Sequence, residues 1–187
     1  YSSAASDVYK RQFLSRGGGR RGIPDHPQPG IQYRDISTLL RDGKAFQKSI
    51  ELIASWSSQF KPNLIAGIEA RGFVFGSAVA FQLNLGFIPI RKTGKLPYKT
   101  ISERYELEYG SDCLEVHQDA VEKGTKVVIV DDLLATGGTA EAAYNLMRRS
   151  GAEVVGVGFL IELPALSGRE ILEKLDCKIF SAVQFND

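Results

Sequence analysis

The 187-residue chain is 43% hydrophobic and 24% charged, with a formal net charge of +1 at pH 7. It can bury a core of ordinary size, and its even charge balance gives no electrostatic footprint for nucleic acid. Two widely spaced cysteines, Cys113 and Cys177, and two histidines argue against a zinc site or a disulfide framework and fit a reducing cytosol. No apolar run approaches the roughly 20 residues a membrane helix needs. No signal-type segment stands near residue 1. The expectation is a cytoplasmic protein that engages neither membrane nor nucleic acid.

Residues 2–12, SSAASDVYKRQ, have neither helical nor strand periodicity and run into a Gly- and Arg-rich stretch. They resemble the translated read-through of a sequencing-library adapter. Residues 1–12 are therefore read as adapter-derived, and 1–21 as a non-native or disordered tail before a single domain over 22–187. A basic arm through Arg16, Arg20 and Arg21 is the competing reading.

Residues 23–34, IPDHPQPGIQYR, are rich in Pro and Gly and must be extended or turning. Asp42 can cap a helix over 44–58, where Phe46, Ile50, Ile53 and Ser57 recur on one face. An apolar strand is predicted over 64–68, a helix over 73–83 and a buried strand over 87–90. Residues 91–99, RKTGKLPYK, are basic and aperiodic and read as a long mobile loop. The alternating segments 105–109 and 112–116 suit a hairpin. Residues 126–130 form a β-branched run of central-strand type, followed by a helix over 137–150 that stops at Gly151. Strands over 153–161 and 178–184 complete the pattern. Strands alternating with helices imply an α/β fold around a mostly parallel sheet.

The chemistry concentrates in VVIVDDLLATGGTAEAA, residues 127–143. A buried strand is expected to end at Asp131 and Asp132, and ligands of open α/β sheets bind beyond such ends. The turn that follows offers backbone donors from Ala135, Thr136, Gly137, Gly138 and Thr139 at a helix start, a cradle for one phosphate. Two carboxylates beside a phosphate cradle suit the hydroxyls of a sugar and can stabilise a developing oxocarbenium ion. A solvated acidic turn would explain a single Asp but explains this pair less well. No P-loop sequence is present. The Gly156-x-Gly158 pair lies inside a predicted strand without a third glycine, so close sheet packing explains it better than a dinucleotide site.

DDLLATGGT resembles the phosphoribosyl pyrophosphate motif of the type I phosphoribosyltransferases. PDHPQPGIQYRDIS at 24–37, GIEARGFVFG at 67–76, and IRKTGKLP followed by YELEYG are similar to the adenine branch of that family, in family order. The resemblance covers residues 23–185. It implies a central, mostly parallel sheet flanked by helices, with a small N-terminal hood and a mobile lid loop, and transfer of 5-phosphoribosyl from phosphoribosyl pyrophosphate to adenine, giving AMP and pyrophosphate. It assigns the 5-phosphate to residues 135–139 and the ribose hydroxyls to Asp131 and Asp132. Arg71, Arg91, Lys92 and Lys95 would meet the pyrophosphate, and Mg²⁺ would be carried mainly by substrate oxygens rather than by direct protein ligands. Gln32, Tyr33, Arg34 and Leu133 would contact adenine, and Glu108 would act as acid/base at N7. Ala135 stands where hypoxanthine-guanine enzymes place an Asp. A homodimer is implied by the family alone. A surface salt bridge with Glu69 is the lesser reading of Arg71, and without the resemblance Glu108 is no more distinctive than Glu103 or Glu106. A transferase for another base, a phosphoribosyl pyrophosphate-sensing regulator and an inactive homologue are the alternatives.

Overall fold

The computed structural model describes residues 21–23, 33–107 and 110–185. The chain divides into two compact units, residues 1–51 and 52–187. In the first, β1 (Arg21–Ile23) pairs antiparallel with β2 (Tyr33–Asp35), with Ile23 opposite Tyr33 and Arg21 opposite Asp35. Asp35 Oδ1 accepts the Ser37 amide at 2.8 Å and turns the chain into α1 (Ser37–Arg41). Asp42 Oδ1 accepts the amides of Lys44 and Ala45 at 3.0 and 3.1 Å, which starts α2 (Gly43–Ser58) as its acidic residue predicts.

In the second unit a seven-stranded sheet has the order β5-β6-β4-β3-β7-β8-β9. Its parallel part comprises β4 (Gly86–Lys92), β3 (Leu64–Ile68), β7 (Lys126–Leu134), β8 (Glu153–Glu162) and β9 (Lys178–Gln184). The antiparallel hairpin of β5 (Thr100–Leu107) and β6 (Gly110–His117) extends it along β4. Crossover helices α3 (Arg71–Leu83) and α4 (Gly138–Arg149) follow β3 and β7. A 3-10 turn (Pro164–Leu166) and the short α5 (Gly168–Leu172) lie between β8 and β9.

The run Val127, Val128, Ile129 and Val130 is fully buried, so both faces of β7 are covered, as a β-branched central strand requires. Val127 and Ile129 share one cluster with Ala143, Leu146 and Met147 of α4. The paired glycines of β8 are a seat for Trp56: a Cβ at Gly156 would lie 2.7 Å from the indole, and one at Gly158 3.0 Å. The same indole stacks on Phe180 at 5.2 Å between ring centroids. Close packing is thus what the Gly-x-Gly pair serves.

Several boundaries differ from the sequence reading. Strand β7 does not end at Asp131 and Asp132; its ladder with β8 continues to the Leu134–Glu162 pair, so both carboxylates project from the strand itself. Arg91 and Lys92 are not loop residues. They close β4 by pairing with Glu115 and Leu114 of β6, and the loop proper is 93–99. That loop is tied to the hairpin by Gly94 N–H donating to Glu115 at 3.0 Å and by the Tyr98 ring set edge-on to His117.

Candidate active site

A cavity of about 470 Å³ opens at the carboxyl end of the parallel strands. Its floor is Asp131, Asp132, Leu133 and Leu134 of β7, one wall is the turn Ala135, Thr136, Gly137 and Thr139, and another is Glu69, Ala70 and Arg71. Lys92, Tyr105 and Asp112 close the side toward the hairpin. This is the position at which open parallel sheets bind ligands, because the strand ends and helix starts leave a crevice lined with free backbone groups.

The turn after β7 has the geometry of an anion cradle. Gly137 caps α4 in the left-handed conformation, with φ of 89°, which glycine adopts without steric cost. No side chain caps this helix, so the amides of its first turn are left for an external acceptor, with the helix dipole behind them.

Opposite the cradle, α3 starts unusually close to β7. A Cβ at Gly72 would lie 2.8 Å from both Asp131 Oδ1 and the Val130 carbonyl oxygen, so only glycine permits the approach. The neighbouring Arg71 then reaches Asp132, Nε to Oδ2 at 2.8 Å. Glu69, the side-chain partner weighed for Arg71, gathers cations of β4 and of the loop after it. Its carboxylate accepts from Lys95 Nζ at 2.6 Å, from the Lys92 amide at 2.9 Å and from Arg91 Nε at 3.2 Å. Burial alone would push the Glu69 carboxyl up, but these donors outweigh it and bring it down to about 2.

Asp131 and Asp132 sit in the opposite regime. Burial raises both, and for Asp131 the charge of its neighbour adds to the effect, while Arg71 opposes it at Asp132. Each of two adjacent buried carboxylates disfavours ionisation of the other. Hydroxyl groups donating to the pair would relieve that penalty.

The hairpin adds residues that the sequence reading passed over. Asp112 Oδ2 lies 2.8 Å from Lys92 Nζ and accepts from Tyr105 Oη at 3.4 Å. The bond from Lys92 holds the Asp112 carboxyl below its ordinary range, and Asp112 in turn raises Lys92. Tyr105 is raised by burial, with a hydrogen bond to Thr139 opposing it. Tyr105 and Asp112 are direct partners across the β5–β6 ladder. Alternation in the two arms carries that signal, once the register is known.

Of the residues expected to act, the structure brings Arg71, Lys92, Asp131, Asp132, Leu133, Ala135, Thr136, Gly137 and Thr139 to one cavity. Gly138 stands at the start of α4 beside it, and Arg91 and Lys95 gather on Glu69. Tyr33 and Arg34 lie on β2, and Gln32 and Glu108 fall outside the described residues. Among the described residues no group of three or more His, Cys, Asp or Glu is arranged to hold a metal ion. No described helix is long and apolar enough to cross a membrane.

The sequence model of the phosphoribosyl transferase domain matches residues 35–186. An adenine phosphoribosyltransferase of Methylobacterium sp. (strain 4-46) is 55% identical over 165 residues, covering 88% of this chain and 91% of that relative. One of Parvibaculum lavamentivorans is 53% identical over 88% of this chain and 94% of its own length. The crystal structure of adenine phosphoribosyltransferase from Thermoanaerobacter pseudethanolicus superposes with a TM-score of 0.86 at 48% identity, covering 96% of this chain and 99% of the other. The Saccharomyces cerevisiae enzyme, complexed with an imino-altritol bisphosphate and adenine, superposes with a TM-score of 0.85 at 35% identity over 95% of this chain and 99% of its own. With the cradle, the paired carboxylates and Arg71 gathered in one crevice, these likenesses place the chain in the phosphoribosyl transferase family, within its adenine phosphoribosyltransferase branch.

Proposed function

We propose that this chain transfers the 5-phosphoribosyl group of 5-phospho-α-D-ribose 1-diphosphate to adenine, giving AMP and pyrophosphate in purine salvage. The observation that carries the reading is the juxtaposition of Asp131 and Asp132 with the uncapped start of α4 on one side and Arg71 on the other. A ribose 5-phosphate spans the first two features, and a diphosphate on C1 then points toward the third.

Residues 135–139 take the 5-phosphate through backbone amides. Asp131 and Asp132 accept hydrogen bonds from the 2- and 3-hydroxyls, and their charge stabilises the oxocarbenium character that develops at C1. Arg71 and Lys92 grip the leaving diphosphate, with Arg91 and Lys95 supplied from the store held by Glu69. The C1–O bond to the diphosphate breaks as adenine N9 bonds to C1 with inversion, and the proton on N7 passes to Glu108. Gln32, Tyr33, Arg34 and Leu133 are the proposed adenine contacts. Positioning and charge stabilisation, not a covalent intermediate, supply the rate enhancement.

Mg²⁺ fits this donor set as a guest of the substrate. The described walls offer no cage of three or more acidic, His or Cys side chains, so substrate phosphate oxygens would carry the ion. Bound there, it would neutralise charge on the departing diphosphate. A cytosolic homodimer is part of the same proposal; Val74 and Phe81, 38% and 89% exposed on α3, supply apolar surface for a second copy.

The test is a turnover assay with purified protein, phosphoribosyl pyrophosphate, Mg²⁺ and labelled adenine, hypoxanthine or guanine. AMP is the expected product. Preferential turnover of hypoxanthine, or none with any base, overturns the reading.

A further inference from the structure

The phosphate cradle is backed by a second piece of structure that does not itself line the cavity. Gly168, the first residue of α5, lies directly behind the turn: a Cβ there would sit 2.2 Å from the Ala135 carbonyl oxygen and 2.8 Å from the Gly137 nitrogen. The contact is reciprocal, since a Cβ at Gly137 would sit 2.7 Å from the Gly168 carbonyl oxygen. Two backbones are therefore in van der Waals contact, and the shape of the cradle depends on where α5 begins.

What fixes that start is a buried polar network. Glu162, at the end of β8, is 2% exposed. Its oxygens accept from Arg169 Nε at 2.8 Å and Arg169 Nη2 at 2.6 Å, a bidentate grip on the residue next to Gly168. Ser181 Oγ and Gln184 Nε2 of β9 donate to the same carboxylate, the latter at 3.0 Å. Burial would push the Glu162 carboxyl up, yet these donors hold it below its ordinary range. The carboxylate thus ties β8, β9 and α5 into one rigid corner. Breaking one partner of such a network leaves a buried charge or donor unpaired, so it resists displacement.

We propose that Glu162, acting through Arg169 and Gly168, is a positioning device that sets the aperture of the 5-phosphate cradle from behind. It rests on the functional reading of the cavity, in that residues 135–139 hold the phosphate. Glu162 and Arg169 are positioning residues: they meet the turn through the Gly168 backbone and are not among the residues that line the cavity. The affinity they control is for the 5-phosphate end of the ligand. The diphosphate end, gripped by Arg71 and Lys92 on the far wall, lies outside their reach.

Titration calorimetry of the full chain with ribose 5-phosphate and, separately, with pyrophosphate and Mg²⁺ distinguishes these ends. Gly168→Ala, and independently Arg169→Lys, should weaken ribose 5-phosphate binding roughly ten- to a hundredfold, as sub-ångström misplacement of a binding group does. Pyrophosphate binding should stay within about twofold in the same variants, since a grip on the far wall is additive with a distant change. The Arg169→Lys substitution keeps the charge and loses only the fork, so it reads the device even where Gly168→Ala fails to fold. Ribose 5-phosphate affinity unchanged in folded Arg169→Lys protein, or equal loss of both ligands, overturns the proposal. Wild-type protein that binds no ribose 5-phosphate overturns the functional reading instead.

Discussion

Arg71 Nε and Asp132 Oδ2, 2.8 Å apart, join the first residue of α3 to the second carboxylate of β7 across the candidate active site. The Asp132 side chain is 7% exposed and that of Arg71 37%. Burial raises Asp132, and Arg71 opposes that rise. The guanidinium proposed to receive the diphosphate is therefore also what keeps the carboxylate proposed to bind ribose nearer its ionised form. One ion pair couples the two ends of the proposed substrate site.

That coupling predicts more than a loss of rate. Arg71→Ala should lower kcat/KM by about a hundredfold or more through loss of diphosphate stabilisation. It should also raise Asp132 further, so that the acid limb of ribose 5-phosphate binding moves to higher pH. Arg71→Lys keeps a charge at the position and should shift that limb less. Binding measured against pH in the three proteins decides the point: an unmoved acid limb in Arg71→Ala would show that the pair is not coupled.

Glu69 makes a prediction of opposite sign with respect to pH. Its carboxyl is brought from 4.5 down to about 2, because the donors from Lys95, Lys92 and Arg91 outweigh the upward push of burial. A depressed acid contributes stability that is complete above its unfolded value and is lost as pH falls through the folded one. Lys95 and Arg91 are partly exposed, so screening reduces the contribution to about 1 kcal/mol, or roughly 2–4 °C in Tm for a chain of this size. Glu69→Gln should melt lower than wild type at neutral pH, with the gap closing below 4.5. Thermal melts at a series of pH values test it, and a gap that widens on acidification would refute it.

Asp131 should trade stability against activity. Burial and the Asp132 charge push it well above its ordinary value, so burying this carboxyl opposes folding at neutral pH. For a raised acid the penalty grows as pH climbs from the unfolded value through the folded one. Asp131→Asn retains an oxygen for the Asp132 amide, which Asp131 Oδ1 now accepts at 2.9 Å. It should raise Tm by about 2–4 °C at neutral pH while turnover falls by about a hundredfold. Both readouts come from one purified variant, and a lower Tm would contradict the assignment of strain to this pair.

The parts of this architecture legible in the sequence are those fixed by local chemistry. The β-branched run of β7, the Asp42 cap and the glycines after Thr136 each have a physical reason within a few residues, and each led to the right element. What escaped were features set by long-range pairing. Asp131 and Asp132 look like the end of a strand because they are acidic, but the ladder to β8 carries the strand past them. Arg91 and Lys92 look like loop residues because they are basic, but β6 holds them in β4. The five-residue α5 has too little periodicity to declare itself, although its contact with Gly137 shapes the cradle. The ion pairs of Arg71 with Asp132 and of Lys92 with Asp112 unite residues whose proximity only the folded sheet creates.

Residues 1–12 lie outside both the described structure and the matched family domain. Their removal should leave adenine turnover within about twofold. Assaying the shortened chain beside the full one measures this directly, and a large loss would mean that the segment contributes to the enzyme.

Glu108 provides the sharpest test of the proposed proton handling. In sequence it stands between β5 and β6, whose residues Tyr105 and Asp112 line the cavity. Ala135 lies where the related hypoxanthine-guanine signature has a carboxylate, and a methyl group takes no proton from a purine. In the proposed mechanism another acid/base receives the N7 proton as N9 bonds to C1. General acid–base catalysis contributes about 10²–10⁴-fold, so Glu108→Ala should reduce kcat by that range while leaving ribose 5-phosphate affinity unchanged, because the sugar phosphate is held by other residues. Glu108→Gln, which keeps the shape and a hydrogen bond but not the basicity, should lose nearly as much. Near-normal turnover in Glu108→Ala would remove this residue from the mechanism.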